Sequence, residues 1–325
     1  MGNNKIAIET QRPNRDIRDA FFDELYEIAK NDNDVLFLTA DMGAFSLERY
    51  KRDLPDQYIN VGISEQNLVN IATGLALAGK KVFIYGIAPF VTMRCYEQIK
   101  VNLSGMCLPV TIIGAGPGVT YASDGSTHHA ILDISIMRPL PEMTIINPSD
   151  PIMASAAAHL SYKSKCPVYI RIDKGVFPAL YPSDSDFSDG LSLLKKGLDV
   201  LIIATGVMVH EAFKLAELLA KDSIDAGIID IYRIKPLNED LLISYFDNKT
   251  KLVTLEEHSI IGGLGSAVSE MLTDRCLCIS MMRFAMPDKN FELYGDRQWL
   301  HKSYGLDMQS SREKIIHEYG KGMIK

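Results

Sequence analysis

Residues 62–79, GISEQNLVNIATGLALAG, decide the fold of this chain. The apolar positions follow the spacing of a helix with one buried face: Leu68, Ile71, Ala72, Leu75 and Ala76. Ser64 stands where a helix N-cap is expected and Gly79 where a C-terminal glycine is expected. The pattern predicts a buried helix over 65–78 that carries Glu65 in its first turn. By itself, an acid at that place is most simply explained as a complement to the helix dipole.

Composition is that of an ordinary globular chain. It has 325 residues, of which 47% are hydrophobic and 23% charged, a length that suits two domains. The formal net charge of −7 and pI near 5.6 provide no basic surface. We therefore expect small-molecule substrates, with neither nucleic acid nor membrane as a partner.

Cysteine usage and the first residues indicate a cytoplasmic protein. The five cysteines are an odd number without a CxxC pair, so we expect no disulfide scaffold. The polar start, MGNNKIAIETQRPNRD, lacks the apolar segment of a signal peptide, and no run of about 18 apolar residues occurs.

Helices and strands alternate along the first half of the chain. We predict helices over 16–30 (capped by Asn14), 65–78, 90–103, near 130–137 and over 150–161, with strands over 35–41, 81–86, 109–114, 143–147 and 167–172. Strands that are apolar almost throughout are typical of a parallel sheet covered on both faces.

A second alternating series follows residues 178–190, PALYPSDSDFSDG, which lack periodicity and indicate a domain boundary. It comprises strands at 199–205, 226–231, 251–257 and 276–282, and helices at 208–221, 238–246, 262–272 and from about 309. The fold class is therefore α/β, with two parallel-sheet αβα domains over residues 1–180 and 191–325.

The helix of residues 62–79 resembles, almost residue for residue, the helix that carries the catalytic glutamate in the pyrimidine-binding domain of transketolases and 1-deoxyxylulose-5-phosphate synthases. The segment LEEHSIIGGLGSAV (255–268) resembles the C-terminal domain of the same family, so the resemblance covers nearly the whole chain. It implies that Glu65 hydrogen-bonds the aminopyrimidine of thiamine diphosphate and promotes loss of the thiazolium C2 proton. The cofactor would then supply the electron sink.

Two further motifs match this family. PFVTMRCYEQIKVNL (89–103) fits its F-x-x-x-R-x-[YW]-[DE]-Q-[IV] pattern, which implies that Phe90 stacks on the aminopyrimidine. Without that match Phe90 is more simply a core residue, and Arg94 is interpreted as a packing or interface residue.

The glycine-rich loop 114–133 contains the order D-G-x-T-H, a signature of the family. By resemblance, His128 contacts the substrate oxygens above the reacting carbon and Asp124 binds a substrate hydroxyl. Arg171, in VYIRIDKG, matches the family arginine that binds a substrate phosphate. Asp41 matches a position near the cofactor at a subunit interface. Taken singly, each of these residues has a simpler structural explanation as a turn former, helix-end residue or salt-bridge partner.

A transketolase of this family is about twice as long as this chain. The part without a counterpart here is the diphosphate-binding domain, recognised by GDG followed by an asparagine pair, where Mg²⁺ joins the cofactor diphosphate. No GDG occurs in this sequence. The resemblance therefore implies a split enzyme, an α2β2 heterotetramer in which a partner subunit with the N-terminal domain holds the Mg²⁺.

One departure from the family concerns the substrate. Where the family has a phosphate-binding histidine or arginine twelve or eleven residues before the DGxTH histidine, this chain has Gly116 and Pro117. We expect weaker binding of simple sugar phosphates, and room at these residues for a modified or nucleotide-linked sugar.

Other functions are compatible with parts of the pattern. A β subunit of a 2-oxoacid or acetoin dehydrogenase first component has the same two-domain plan, and a synthase of the deoxyxylulose-phosphate type is also possible. A nicotinamide dehydrogenase is disfavoured, because GAGPG lacks the third glycine of GxGxxG, residue 119 being Val. Retention of Glu65, Phe90, Asp124 and His128 argues against a non-catalytic paralogue.

Overall fold

Two mainly parallel β-sheets organise the chain, as seen in a computed structural model that describes residues 14–247 and 249–320. The first half contains β1 (Arg15–Asp16), α1 (Ile17–Asn31), β2 (Val35–Thr39), α2 (Leu47–Asp53), β3 (Tyr58–Asn60), α3 (Glu65–Leu77), β4 (Lys81–Ile87), α4 (Ala88–Thr92), α5 (Tyr96–Gln98), β5 (Val110–Ala115), α6 (Asp133–Met137), β6 (Thr144–Ile146), α7 (Pro151–Tyr162), β7 (Val168–Ile172) and β8 (Val176–Phe177). The second half contains β9 (Leu191–Lys195), β10 (Val200–Ala204), α8 (Met208–Ala220), β11 (Ala226–Ile231), β12 (Arg233–Lys235), α9 (Glu239–Ile243), β13 (Lys251–Ser259), α10 (Leu264–Asp274), β14 (Met281–Met286), α11 (Arg297–Ser303) and α12 (Met308–Tyr319).

The first sheet has seven strands in the order β12-β6-β7-β5-β4-β2-β3, and the strands from β6 to β3 are parallel. The second has five, in the order β14-β13-β10-β11-β9, of which β9 alone runs antiparallel. β12 comes from the second half of the chain but pairs antiparallel with β6 of the first sheet. These sheets with their helices confirm the α/β fold class, and β12 joins the two halves.

Apolar runs explain the strands, and helix faces cover them. All five residues of β2 are buried, as expected for a central parallel strand. On one face of the sheet α1 and α7 pack against each other and bury Phe21 and Phe22. On the other face α3 lies against β4, and Leu68 and Ala72 are inaccessible to solvent. The central helix therefore has the buried face that its spacing predicts.

The ends of two helices differ from expectation. Asp16, not Asn14, caps α1, because its carboxylate accepts from the backbone N–H of Asp19 at 3.1 Å. Ser64 precedes α3 but its hydroxyl donates to the carbonyl of Val61, so its side chain does not cap the helix. Gly79 follows α3 with φ +87°, the left-handed conformation expected of a glycine after a helix.

Two elements lie differently from the predicted bounds. The helix expected over 90–103 is broken into α4, α5 and a π-helical turn, Ile99–Ser104, after a turn at 93–95. At that break the carbonyl of Arg94 accepts from Gln66 Nε2 at 3.1 Å. The strand expected over 276–282 begins only at Met281, because Cys276, with φ +54°, and Leu277 form the turn that ends α10.

A disulfide joins Cys107 and Cys166, although the cysteine pattern predicts no disulfide scaffold. These cysteines precede the neighbouring strands β5 and β7, so the parallel sheet brings both loops to its amino edge. Spacing along the chain does not reveal the pair, since 59 residues separate them. Within the described part of the chain, no helix combines the length and the apolar character needed to cross a bilayer.

Candidate active site

The residues singled out from the sequence lie mostly along one edge of the first sheet. Asp41 follows β2, Glu65 follows β3, Phe90 follows β4 and His128 lies in the loop after β5. These four strands are consecutive in the sheet, in the order β5-β4-β2-β3, and all are parallel. Their carboxyl ends therefore form a single edge, the usual place for functional groups in an α/β sheet.

Glu65 is a nearly buried carboxylate with a cation beside it. It is 6% exposed at the first position of α3, where the helix dipole also favours negative charge. Arg94 Nη1 donates to Glu65 Oε2 at 2.8 Å. The other carboxylate oxygen, Oε1, accepts no hydrogen bond from the described residues, so it remains available to a ligand.

Phe90 connects Glu65 to the histidine loop. The guanidinium carbon of Arg94 lies 4.4 Å from the centroid of the half-buried Phe90 ring. The His128 ring approaches Phe90 edge-on, with centroids 5.1 Å apart. Glu65, Arg94, Phe90 and His128 therefore form one continuous contact group.

The loop before α6 presents His128 through two short 3-10 turns, residues 122–124 and 126–128. Gly125, with φ +82°, joins the turns in a conformation that favours glycine. Thr127 Oγ1 lies 3.0 Å from His128 Nδ1. That contact orients the ring and leaves Nε2 without a hydrogen bond from the described residues.

The second half of the chain supports this loop. Glu257 of β13 packs against Gly118, where any side chain would collide with its carboxylate. Arg297 of α11 donates to both Glu257 and Asp173, at 2.6 and 2.7 Å. Although burial opposes it, the charge of Arg297 holds the pKa of Glu257 well below its usual value. A buried ion network therefore fixes the base of the histidine loop.

His129, to which the sequence assigns no role, also lies at this junction. It is 3% exposed and its ring meets Phe291 edge-on, with centroids 6.0 Å apart. Burial lowers the pKa of His129, which favours a neutral ring. We interpret it as a packing residue.

Asp41 and Asp124 are exposed. Asp41 has φ +59° and its Oδ1 accepts from Asn60 Nδ2 at 2.9 Å, beside the entry to α3. Asp124 ends a 3-10 turn, next to Gly125, and the ring of Tyr294 covers that glycine. The contacts of the described residues do not join either carboxylate to the Glu65 group.

Arg171 is not placed as the sequence suggests. It is 3% exposed within β7, and its Nε donates to Asp133 Oδ2 at 2.7 Å. Its Nη2 donates to the carbonyls of Ala130 and Glu257, at 3.0 and 2.8 Å. A guanidinium held in this way inside the protein cannot grip a substrate phosphate without breaking the ion pair. The expected phosphate contact is therefore corrected to a structural role.

Lys174, which sequence reasoning missed, is an exposed cation two residues after β7 ends. Its Nζ lies 4.2 Å from the ring centroid of Tyr121, and that ring lies 6.3 Å from the His128 ring. The signal that could have identified it is its position, since cations just after a parallel strand reach the functional edge. Lys174 thus takes the place expected of Arg171.

Tyr121 also corrects the expectation about Gly116. Gly116 has φ +75°, and the Tyr121 ring fills the space that a side chain there would occupy. The glycine therefore does not leave room for a bulky sugar group. It allows the tyrosine ring to pack on the backbone between His128 and Lys174.

Comparison with known proteins places this geometry in a family. Residues 14–178 match the family described as "Transketolase, pyrimidine binding domain", and residues 190–310 match "Transketolase, C-terminal domain". One of the two subunits of an apulose-4-phosphate transketolase of Phocaeicola vulgatus is 34% identical over 95% of this chain and 96% of its own length. A 6-deoxy-6-sulfo-D-fructose transketolase subunit of Clostridium sp. (strain MSTE9) is 35% identical over 89% of this chain and 90% of its own.

A solved structure described as "Split gene transketolase, inactive beta4 tetramer" has the same fold. It aligns with a TM-score of 0.84 at 30% identity, over 95% of this chain and 99% of that one. By contrast, this chain spans only 48% of a 1-deoxy-D-xylulose-5-phosphate synthase of Caldanaerobacter subterraneus, to which it is 31% identical. The chain belongs to the transketolase family, in which it corresponds to the C-terminal half of a split transketolase.

Proposed function

We propose that this chain is the subunit of a thiamine-diphosphate-dependent transketolase that contributes the pyrimidine-binding domain (1–180) and the C-terminal domain (191–325). The reaction would move a two-carbon ketol unit from a ketose donor to an aldose acceptor. The observation that carries this proposal is the contact group of Glu65, Arg94, Phe90 and His128 at the carboxyl edge of the first sheet.

The residues present fit the pyrimidine half of that cofactor. The planar Arg94 guanidinium already lies against Phe90 while donating an N–H to the carboxylate of Glu65. An aminopyrimidine is likewise planar and presents N–H and ring nitrogen at its edge. A site that holds the one group through a carboxylate and an aromatic face is suited to the other.

Three residues of this chain would share the work. Glu65 would bind the pyrimidine edge and hold or release a proton there, and Phe90 would orient the ring by stacking. His128, through its free Nε2, would hydrogen-bond the substrate oxygens as charge develops on them. When bound, the cofactor supplies the nucleophilic carbon and the electron sink. Asp124 is exposed on the same loop and would bind a substrate hydroxyl, while Asp41 would lie near the cofactor at the subunit interface.

A partner subunit would complete the site. The relatives named as transketolase subunits support a division of the enzyme between two chains. This sequence lacks GDG, so the partner would hold the diphosphate and its Mg²⁺. We propose an α2β2 heterotetramer with the cofactor between the two kinds of subunit.

The substrate is proposed to be a specialised ketose with an anionic group. Two relatives are named for apulose 4-phosphate and 6-deoxy-6-sulfo-D-fructose, which carry a phosphate and a sulfonate. In this chain the exposed Lys174, beside Tyr121, is positioned for such an anion. Xylulose 5-phosphate and fructose 6-phosphate are expected to be poor substrates, because Gly116 and Pro117 offer no phosphate ligand.

The decisive experiment is reconstitution. The purified chain alone is expected to show no thiamine-dependent ketol transfer, and activity is expected to appear when a GDG-containing partner is added. The measurement is turnover of candidate ketoses with a ribose-phosphate acceptor, with each chain alone as the control. Thiamine-dependent turnover by this chain in the absence of any partner would refute the split-site proposal.

Lys174→Met is expected to lower kcat/KM for the anionic ketose by roughly 10–150-fold, the value of one charge-assisted bond. It should leave the rate with a small uncharged ketose, such as dihydroxyacetone, nearly unchanged. Lys163→Met, which replaces an exposed lysine at the end of α7, is the matched control. An equal loss for both kinds of substrate, or none for either, would contradict this role.

A further inference from the structure

Arg94 occupies both contacts that the proposed cofactor would need. Its Nη1 donates to the Glu65 carboxylate at 2.8 Å, and its guanidinium covers the Phe90 ring at 4.4 Å. The His128 ring lies against the same phenylalanine. A planar ligand cannot stack on the covered face of Phe90 while the guanidinium remains there.

The side chain of Arg94 is free to leave. It is 47% exposed, whereas that of Glu65 is 7% exposed. The backbone around it is a turn between α4 and α5, not the interior of a helix. Arg94 Nη1 is the one hydrogen-bond donor to the Glu65 side chain among the described residues. Removing it without a replacement would leave a desolvated carboxylate with no partner, which is unfavourable.

We propose that Arg94 is a latch that closes the pyrimidine site in the free chain and is displaced when the cofactor binds. This inference rests on the proposed function, because it takes the Glu65 and Phe90 contacts as the cofactor's own. The guanidinium satisfies Glu65 until the aminopyrimidine replaces it. Cofactor binding then includes the cost of releasing Arg94.

The latch predicts an unusual gain. Arg94→Met should bind thiamine diphosphate more tightly than wild type in the reconstituted complex, by roughly 3- to 30-fold, because one partly exposed ion pair and one cation–π contact no longer compete. Arg94→Lys keeps a cation but not the flat fork, and is expected to lie between the two. Lys100→Met, which replaces an exposed lysine in the following π-helical turn, is the matched control and should leave the affinity unchanged.

The test has two independent readouts. The first is the dissociation constant of thiamine diphosphate by titration calorimetry of the reconstituted complex with Mg²⁺. The second is a double-mutant cycle on the free chain, in which Arg94→Met and Glu65→Gln are combined and thermal stability is measured. The latch requires that Arg94→Met destabilises the wild-type chain more than it destabilises the Glu65→Gln chain.

The outcomes separate the two proposals. If the wild-type complex binds no thiamine diphosphate, the proposed function fails, while the stability cycle still reports whether Arg94 and Glu65 are coupled. If the complex binds the cofactor but Arg94→Met binds it equally or more weakly, the latch is overturned and the proposed function stands. Additive stabilities in the cycle would also overturn the latch.

Discussion

Replacing Glu65 by glutamine is expected to slow the reconstituted enzyme by about 10²–10⁴-fold, the usual range for a positioned acid–base group. Glutamine keeps the size of the side chain and can still hydrogen-bond, but it cannot exchange a proton. The carboxylate is 6% exposed at the start of α3, so no solvent-exposed acid can substitute for it easily. The measurement is hydrogen–deuterium exchange at the thiazolium C2 of bound thiamine diphosphate, followed by NMR.

The control variant is Glu97→Gln, which changes an exposed glutamate on α5 close to Arg94 along the chain. Cofactor affinity is measured for both variants, so that lost binding is not mistaken for lost proton transfer. If the Glu65 variant exchanges C2 as fast as wild type, Glu65 only complements the helix dipole. That role contributes about 0.3–1 kcal/mol of stability and no catalysis.

The main elements of the fold are predictable because their signals are local. β2, β4, β5 and β7 are runs of apolar residues bounded by turns, and α3 has both a periodic face and a terminal glycine. The antiparallel strands escape such reasoning. β12 is three residues long and contains Arg233 and Lys235, so nothing in its composition distinguishes it from a loop. Its partner β6 is about 90 residues away, and only the folded chain brings the two together.

The candidate site is partly predictable for a topological reason. Glu65, Phe90 and His128 follow different strands, and a parallel sheet collects the ends of its strands at one edge. What sequence cannot supply is the direction and burial of each side chain. The sequence indicates only a packing or interface role for Arg94, yet its guanidinium contacts Glu65, 29 positions earlier in the chain.

Arg171 shows the same limit in the opposite direction. Its place in a strand of the functional edge makes a phosphate contact reasonable. Only the structure reveals that Asp133, 38 positions earlier on α6, takes its guanidinium inside the protein. Lys174, three residues later, is the cation that remains exposed.

Arg171→Met is therefore expected to destabilise the protein strongly, by about 3–5 kcal/mol, the usual cost of breaking a buried ion pair by removing one partner. The substitution leaves Asp133 with 1% exposure and without its cation. The carbonyls of Ala130 and Glu257 lose their donor as well, so the contact between β7, the histidine loop and β13 is weakened. The measurement is the free energy of unfolding of the chain by denaturant titration.

Two comparisons decide whether the loss comes from the buried pair. Arg275→Met removes an exposed arginine that pairs with Glu239 and Asp240, and should cost no more than about 1 kcal/mol. The double variant Arg171→Met with Asp133→Leu removes both charges and should recover part of the loss, because no unpaired buried charge remains, although Tyr169 then loses its acceptor. If Arg171→Met instead unfolds like wild type while raising KM only for the anionic ketose, the guanidinium must reach the substrate, and the phosphate-binding role inferred from sequence would be restored.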